Sequence, residues 1–86
     1  MKKKIMYVDD EKINLKLFQM RFQGKYEIIT CKSGTEGMQK LNEHPDVSAV
    51  ISDMRMPGMS GVEVIQMVKQ TNQDIPCYIL TCYYIT

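Results

Sequence analysis

Short apolar runs alternate with helical periodicity along this chain. Ile5-Met6-Tyr7-Val8 is apolar throughout and is stopped by Asp9-Asp10-Glu11, as expected of a short buried strand. From Glu11 to Gln23 the period becomes helical. Lys12, Lys16, Gln19 and Gln23 share a polar face, Ile13, Leu17 and Met20 form one apolar arc, and Leu15, Phe18 and Phe22 form a second. Two arcs are wider than contact with one sheet requires, so one is assigned to the sheet and the other, Leu15, Phe18 and Phe22, to a surface needing a further partner. Gly24 is the expected helix stop. Residues 26–30, β-branched and aromatic, predict a second strand. Ser33-Gly34-Thr35-Glu36 is a capping box that opens a short helix to about residue 42, before Pro45. Residues 47–51 predict a third strand with Asp53 just beyond it. Ser60-Gly61-Val62-Glu63 is a second capping box, opening a helix through about residue 70. Pro76 introduces a fourth strand over 77–80, closed by Thr81. The order is β-α-β-α-β-α-β, and strands that are apolar nearly throughout suit a parallel sheet covered on both faces.

Composition narrows the function classes. The 86 residues, 44% hydrophobic and 24% charged, fit one soluble globular domain over 1–86. A net charge of +1 argues against a strongly basic nucleic-acid binder. No segment approaches the ~18 consecutive apolar residues of a membrane span. The basic start Lys2 to Lys4 is followed by only four apolar residues before the acids, which is not the pattern of a signal peptide. Cys31, Cys77 and Cys82 are an odd set without metal-ligand spacing, expected as free thiols of a cytoplasmic protein. Of the eight Met residues, Met6, Met20 and Met38 occupy core-like positions as gap fillers. His44, in a loop with no second ligand, is expected at the surface.

The acids carry the candidate chemistry. In an open α/β sheet, ligands bind beyond the carboxyl ends of the strands. Asp9 and Asp10 end the first strand, Asp53 follows the third, and Thr81 closes the fourth. If the first and third strands are neighbours, three carboxylates meet. At ~5 Å and an effective dielectric of ~20 each ionised pair repels by about 3 kcal/mol. A turn role accounts for any one Asp, but three at matching strand ends call for a cation, and oxygen ligands completed by water describe a Mg²⁺ site.

These pieces resemble the receiver domain of two-component response regulators. The resemblance rests on Val8-Asp9-Asp10-Glu11 with Asn14, on Ile51-Ser52-Asp53-Met54-Arg55-Met56-Pro57-Gly58-Met59-Ser60-Gly61, and on Ile79-Leu80-Thr81. It implies a flavodoxin-like doubly wound parallel sheet in the order 2-1-3-4. It also implies that Asp53 is the phosphoacceptor, that Asp9, Asp10 and Asp53 hold Mg²⁺ together with the backbone carbonyl of Arg55, and that Thr81 is the switch hydroxyl. The implied partner is a sensor histidine kinase or a phosphotransfer protein. Side chains at Arg55 and Tyr83, two after the acceptor and two after the switch hydroxyl, are expected to influence how long the phosphoryl group lasts.

Five residues follow Thr81, and no Lys follows Lys69. The last helix-strand-helix of the receiver fold, with its strand-five Lys, is therefore expected to be missing from the 86 residues. Two consequences are expected. Phosphorylation is slow, which keeps open an alternative: a receiver-shaped interaction module without phosphoryl chemistry. The fourth strand becomes a hydrophobic edge through which the chain self-associates, as a two-fold dimer. A Mg²⁺-dependent phosphatase of the haloacid dehalogenase type is disfavoured, because its Asp-x-Asp pattern is replaced by Asp9-Asp10-Glu11. The chain is accordingly expected to be a phosphoacceptor rather than an enzyme.

Overall fold

The computed structural model describes residues 2–80. Seven elements follow one another: β1 (Lys3–Val8), α1 (Lys12–Phe22), β2 (Tyr26–Cys31), α2 (Gly34–Glu43), β3 (Ala49–Asp53), α3 (Gly61–Thr71) and β4 (Cys77–Leu80). The sheet is parallel, with strand order β2-β1-β3-β4. This is the expected order. The register sets Val8 beside Cys31 and Ser52, and Asp53 beside Leu80, so the carboxyl ends of the strands are level.

Local signals explain where the helices begin. Ser33 Oγ accepts from the Glu36 N–H at 3.1 Å, and the Glu36 carboxylate accepts from the Lys32 N–H at 2.6 Å. That reciprocal pair satisfies two otherwise orphan donors. At α3 the Ser60 hydroxyl accepts from the Glu63 N–H at 3.4 Å. Helix α1 has no side-chain cap at Glu11; instead the Asp9 carboxylate accepts from the Glu11 N–H at 3.0 Å. The acid at the end of β1 thereby starts the next helix.

The core lies between one face of the sheet and two helices. Met6, Val8, Ile29, Cys31 and Val50 from the strands meet Leu41, Val64 and Val68, with Val47 and Ile75 closing the loops. Successive strand residues alternate between faces, so Ile5, Tyr7, Ile28, Ala49, Ile51, Tyr78 and Leu80 lie on the other face. There α1 packs on β2 and β1 only. A cleft of about 900 Å³ runs along the remainder, and Tyr78 and Leu80 are exposed. Full coverage of both faces is thus not what the described residues form.

Three expectations need correction. The arc of α1 containing Leu15, Phe18 and Phe22 is the one that meets the sheet: Leu15 is buried and Phe18 stacks on Tyr7, with ring centroids 4.1 Å apart. Ile13, Leu17 and Met20 are the exposed arc, at 65%, 57% and 60%. Aromatic rings reach across to the strands, which periodicity alone does not reveal. Met20 is accordingly a surface residue, whereas Met6 is in the core and Met38 packs against it. The third strand is shifted toward the carboxyl side, so Asp53 is its last residue rather than a residue beyond it.

Candidate functional site

Three carboxylates converge at the carboxyl edge of the sheet. Asp9, Asp10 and Asp53 each offer an oxygen, and these atoms lie within 4.8 Å of one another. The order β1-β3 brings them together, since Val8 pairs with Ser52 and the acids follow at matching ends. Their environments differ. Asp9 is buried, Asp10 is exposed, and Asp53 is intermediate.

Asp9 is held on both sides. Its Oδ1 accepts from the Glu11 N–H at 3.0 Å, and its Oδ2 accepts from the Tyr7 hydroxyl at 2.7 Å. A buried carboxylate without such donors would be costly. The proton affinity of Asp53 is raised above its ordinary value, first by desolvation and next by the neighbouring charge of Asp9, with Asp10 contributing less. The backbone N–H groups of Met54 and Arg55 favour its ionised form and partly offset that rise.

The chain after β3 is shaped to keep this corner open. Gly58 has φ of 79°, a left-handed conformation that suits glycine. The Gly61 N–H donates to the Met54 carbonyl at 3.0 Å, which draws the start of α3 against the end of β3. A Cβ at Gly61 would stand 2.5 Å from the Asp53 carbonyl oxygen, so glycine is what permits that approach. Met56 and Met59 pack against the core and anchor the loop.

The structure therefore gathers Asp9, Asp10 and Asp53, and Arg55 lines the same cleft from the loop after β3 with its side chain exposed. Thr81 and Tyr83 lie outside the described residues. Sequence reasoning missed Tyr7 as a contributor. The signal for Tyr7 was its place two residues before Asp9, hence on the same face of the strand. Gly61 was already part of the motif that follows Asp53 and opens a capped helix, but its close backbone approach to Asp53 was not foreseen. An all-oxygen donor set with closely spaced negative charges suits a hard divalent cation such as Mg²⁺.

A family model described as the response regulator receiver domain matches residues 5–84. The chain belongs to the response regulator receiver family. Receivers are signalling domains of two-component systems. Among relatives, the transcriptional regulatory protein GlrR of Escherichia coli (strain K12) is 35% identical over 80 residues, covering 92% of this chain and 18% of that protein. The polar-differentiation response regulator DivK of Brucella ovis is 33% identical over 87 residues, covering 96% of this chain and 69% of that protein. The chain thus spans under a fifth of the first relative and about two thirds of the second. A crystal structure of the response regulator protein TrrA from Thermotoga maritima, in complex with Mg²⁺-BeF, superposes with a TM-score of 0.85 at 35% identity. That match covers 94% of this chain and 70% of TrrA. No helix among the described residues is long and apolar enough to cross a membrane.

Proposed function

We infer that residues 1–86 act as a single cytoplasmic phosphoacceptor receiver that takes a phosphoryl group onto Asp53 with the help of Mg²⁺. The observation that carries this reading is the convergence of three carboxylate oxygens within 4.8 Å at the ends of β1 and β3. Asp53, at the end of β3, is less enclosed than Asp9 and opens onto the cleft. It can approach a phosphohistidine of a sensor kinase or phosphotransfer protein in line. An Asp53 carboxylate oxygen bonds to phosphorus, the phosphorus–nitrogen bond breaks, and the released imidazole takes up a proton.

Asp9, Asp10, Asp53 and the Arg55 carbonyl would hold the metal. Bound there, Mg²⁺ supplies neutralisation of the charge on the transferring oxygens. The protein's own part is positioning: Gly61 sets α3 close behind Asp53, and the Met54 and Arg55 N–H groups keep its carboxylate available as a nucleophile.

Incubation of the chain with Mg²⁺ and a small phosphodonor, read by intact mass, tests the reading. One phosphoryl adduct is expected, and none in Asp53→Asn. An adduct that persists in Asp53→Asn would refute Asp53 as the acceptor. No adduct in either protein would favour the interaction module without phosphoryl chemistry.

A second reading, self-association, is favoured by β4. Among the described residues it is an edge strand, paired with β3 alone, and Tyr78 and Leu80 are exposed on it. Unpaired backbone groups beside apolar side chains invite strand pairing with a second copy. Sedimentation at low micromolar concentration is expected to give a dimer, and a monodisperse monomer would refute this.

A further inference from the structure

Tyr7 stands where two features of the molecule meet. Its ring lies on the α1 side of the sheet, 3% exposed and stacked on Phe18 at a centroid distance of 4.1 Å and an interplanar angle of 15°. Phe18 in turn contacts Phe22 at 4.8 Å. Its hydroxyl points the other way along the strand and donates to Asp9 Oδ2 at 2.7 Å. The phenol is thus clamped at its ring by α1 and bonded at its oxygen to the most buried acid of the site.

We propose that Tyr7 is a positioning residue for the cation site, fixing the rotation of the Asp9 carboxylate so that its remaining lone pairs face Asp10 and Asp53. This rests on the Mg²⁺ reading given above. A carboxylate has about four lone-pair directions. In Asp9 one is used by the Glu11 N–H and one by the Tyr7 hydroxyl, one on each oxygen. Two donors on opposite oxygens determine the carboxylate plane, whereas one donor leaves the group free to swing about it. The repulsion of Asp10 and Asp53 would drive such a swing, since their oxygens lie within 4.8 Å. The stacked Phe18 ring matters because it holds the phenol itself in place, and a positioned ligand needs a positioned donor. Residues that hold metal ligands in this way commonly change affinity by about 10–100-fold when altered.

The test measures Mg²⁺ affinity by calorimetry in the unchanged chain, Tyr7→Phe, Tyr7→Leu and a control, Tyr26→Phe, at the opposite end of the sheet. Tyr7→Phe keeps the ring on Phe18 and removes only the hydroxyl. Tyr7→Phe is expected to bind Mg²⁺ about tenfold more weakly, and Tyr26→Phe as the unchanged chain does. A near-ultraviolet tyrosine difference spectrum should appear when Mg²⁺ is added to the unchanged chain, because the cation withdraws charge from the carboxylate that the phenol serves. It should vanish in Tyr7→Phe and persist in Tyr26→Phe. If Tyr7→Phe binds as the unchanged chain does and only Tyr7→Leu is weakened, Tyr7 is a packing residue and the proposal is overturned while the metal site stands. If the unchanged chain binds no Mg²⁺, the metal site itself is overturned and the role of Tyr7 with it.

Discussion

Replacing Asp53 by Asn should raise the stability of the metal-free chain at neutral pH. The side chain changes little in size, but one of three crowded negative charges disappears. The oxygens of Asp9, Asp10 and Asp53 lie within 4.8 Å of one another. At that separation a pair of unit charges repels by about 3.5 kcal/mol at an effective dielectric of ~20, and by about 0.9 kcal/mol at ~80. Asp10 is exposed and Asp53 is only partly covered, so the water-like end of that range governs, and the two pairs together give a gain of about 1–2 kcal/mol. For a domain this small each kcal/mol moves the melting temperature by about 4–8 °C. The pH dependence has a definite sign. The folded-state proton affinity of Asp53 is raised above its ordinary value of 3.8, so the folded chain holds that proton more tightly than the unfolded chain does. Below the unfolded value both states are protonated and Asp53 carries no charge penalty. As pH rises through the folded value the penalty develops, and the unchanged chain loses stability relative to Asp53→Asn. Thermal melts of both proteins from acid to neutral pH, with and without Mg²⁺, read this directly. The advantage of Asp53→Asn should shrink toward acid pH and should diminish or reverse in Mg²⁺, which stabilises the unchanged chain more. An Asp53→Asn protein that is less stable than the unchanged chain at neutral pH without metal would refute the electrostatic account.

Three other outcomes are expected. Gly61→Ala should destabilise by about 1–3 kcal/mol in urea titrations despite the better helix propensity of Ala, because its Cβ would press on the Asp53 carbonyl and the Met54 backbone; a stabilised variant would show that α3 can retreat freely. Leu15→Ala should cost about 2–5 kcal/mol, and Ile13→Ala should stay within about 0.5 kcal/mol, since only the first is buried against the sheet; equal costs would reverse the orientation of α1. The Cys31 thiol, pushed up to about 12 by burial, should resist a thiol reagent at pH 8 until the chain unfolds, while the half-buried Cys77 reacts earlier; rapid labelling of Cys31 in the folded protein would contradict its burial.

The sequence by itself determined the element order, the helix starts and the residues of the acidic corner. Those are local matters. A short apolar run stopped by acids and followed by a helical period reads as a strand, and Ser33 and Ser60 cap helices through bonds that span three residues. The Asp9, Asp10 and Asp53 cluster was legible because alternating strands and helices predict a parallel sheet, and the resemblance to receivers supplied the order that makes the first and third strands neighbours. Tertiary structure decided what depends on distance in space rather than along the chain. Which arc of α1 meets the sheet turned on Phe18 stacking over Tyr7, eleven residues away in sequence. Two arcs of similar hydrophobicity carry no information about which one finds that ring. The register of β3, with Asp53 as its final residue, was set by pairing with β1 and β4, because strand ends are fixed by their neighbours' hydrogen bonds. The Tyr7 hydroxyl on Asp9 and the Gly61 backbone behind Asp53 likewise appear only when the strand ends and helix starts are brought to a few ångströms. Hydrophobic pattern specifies which face is buried, but a hydrogen bond or a close backbone approach is specified by geometry that the folded chain alone supplies.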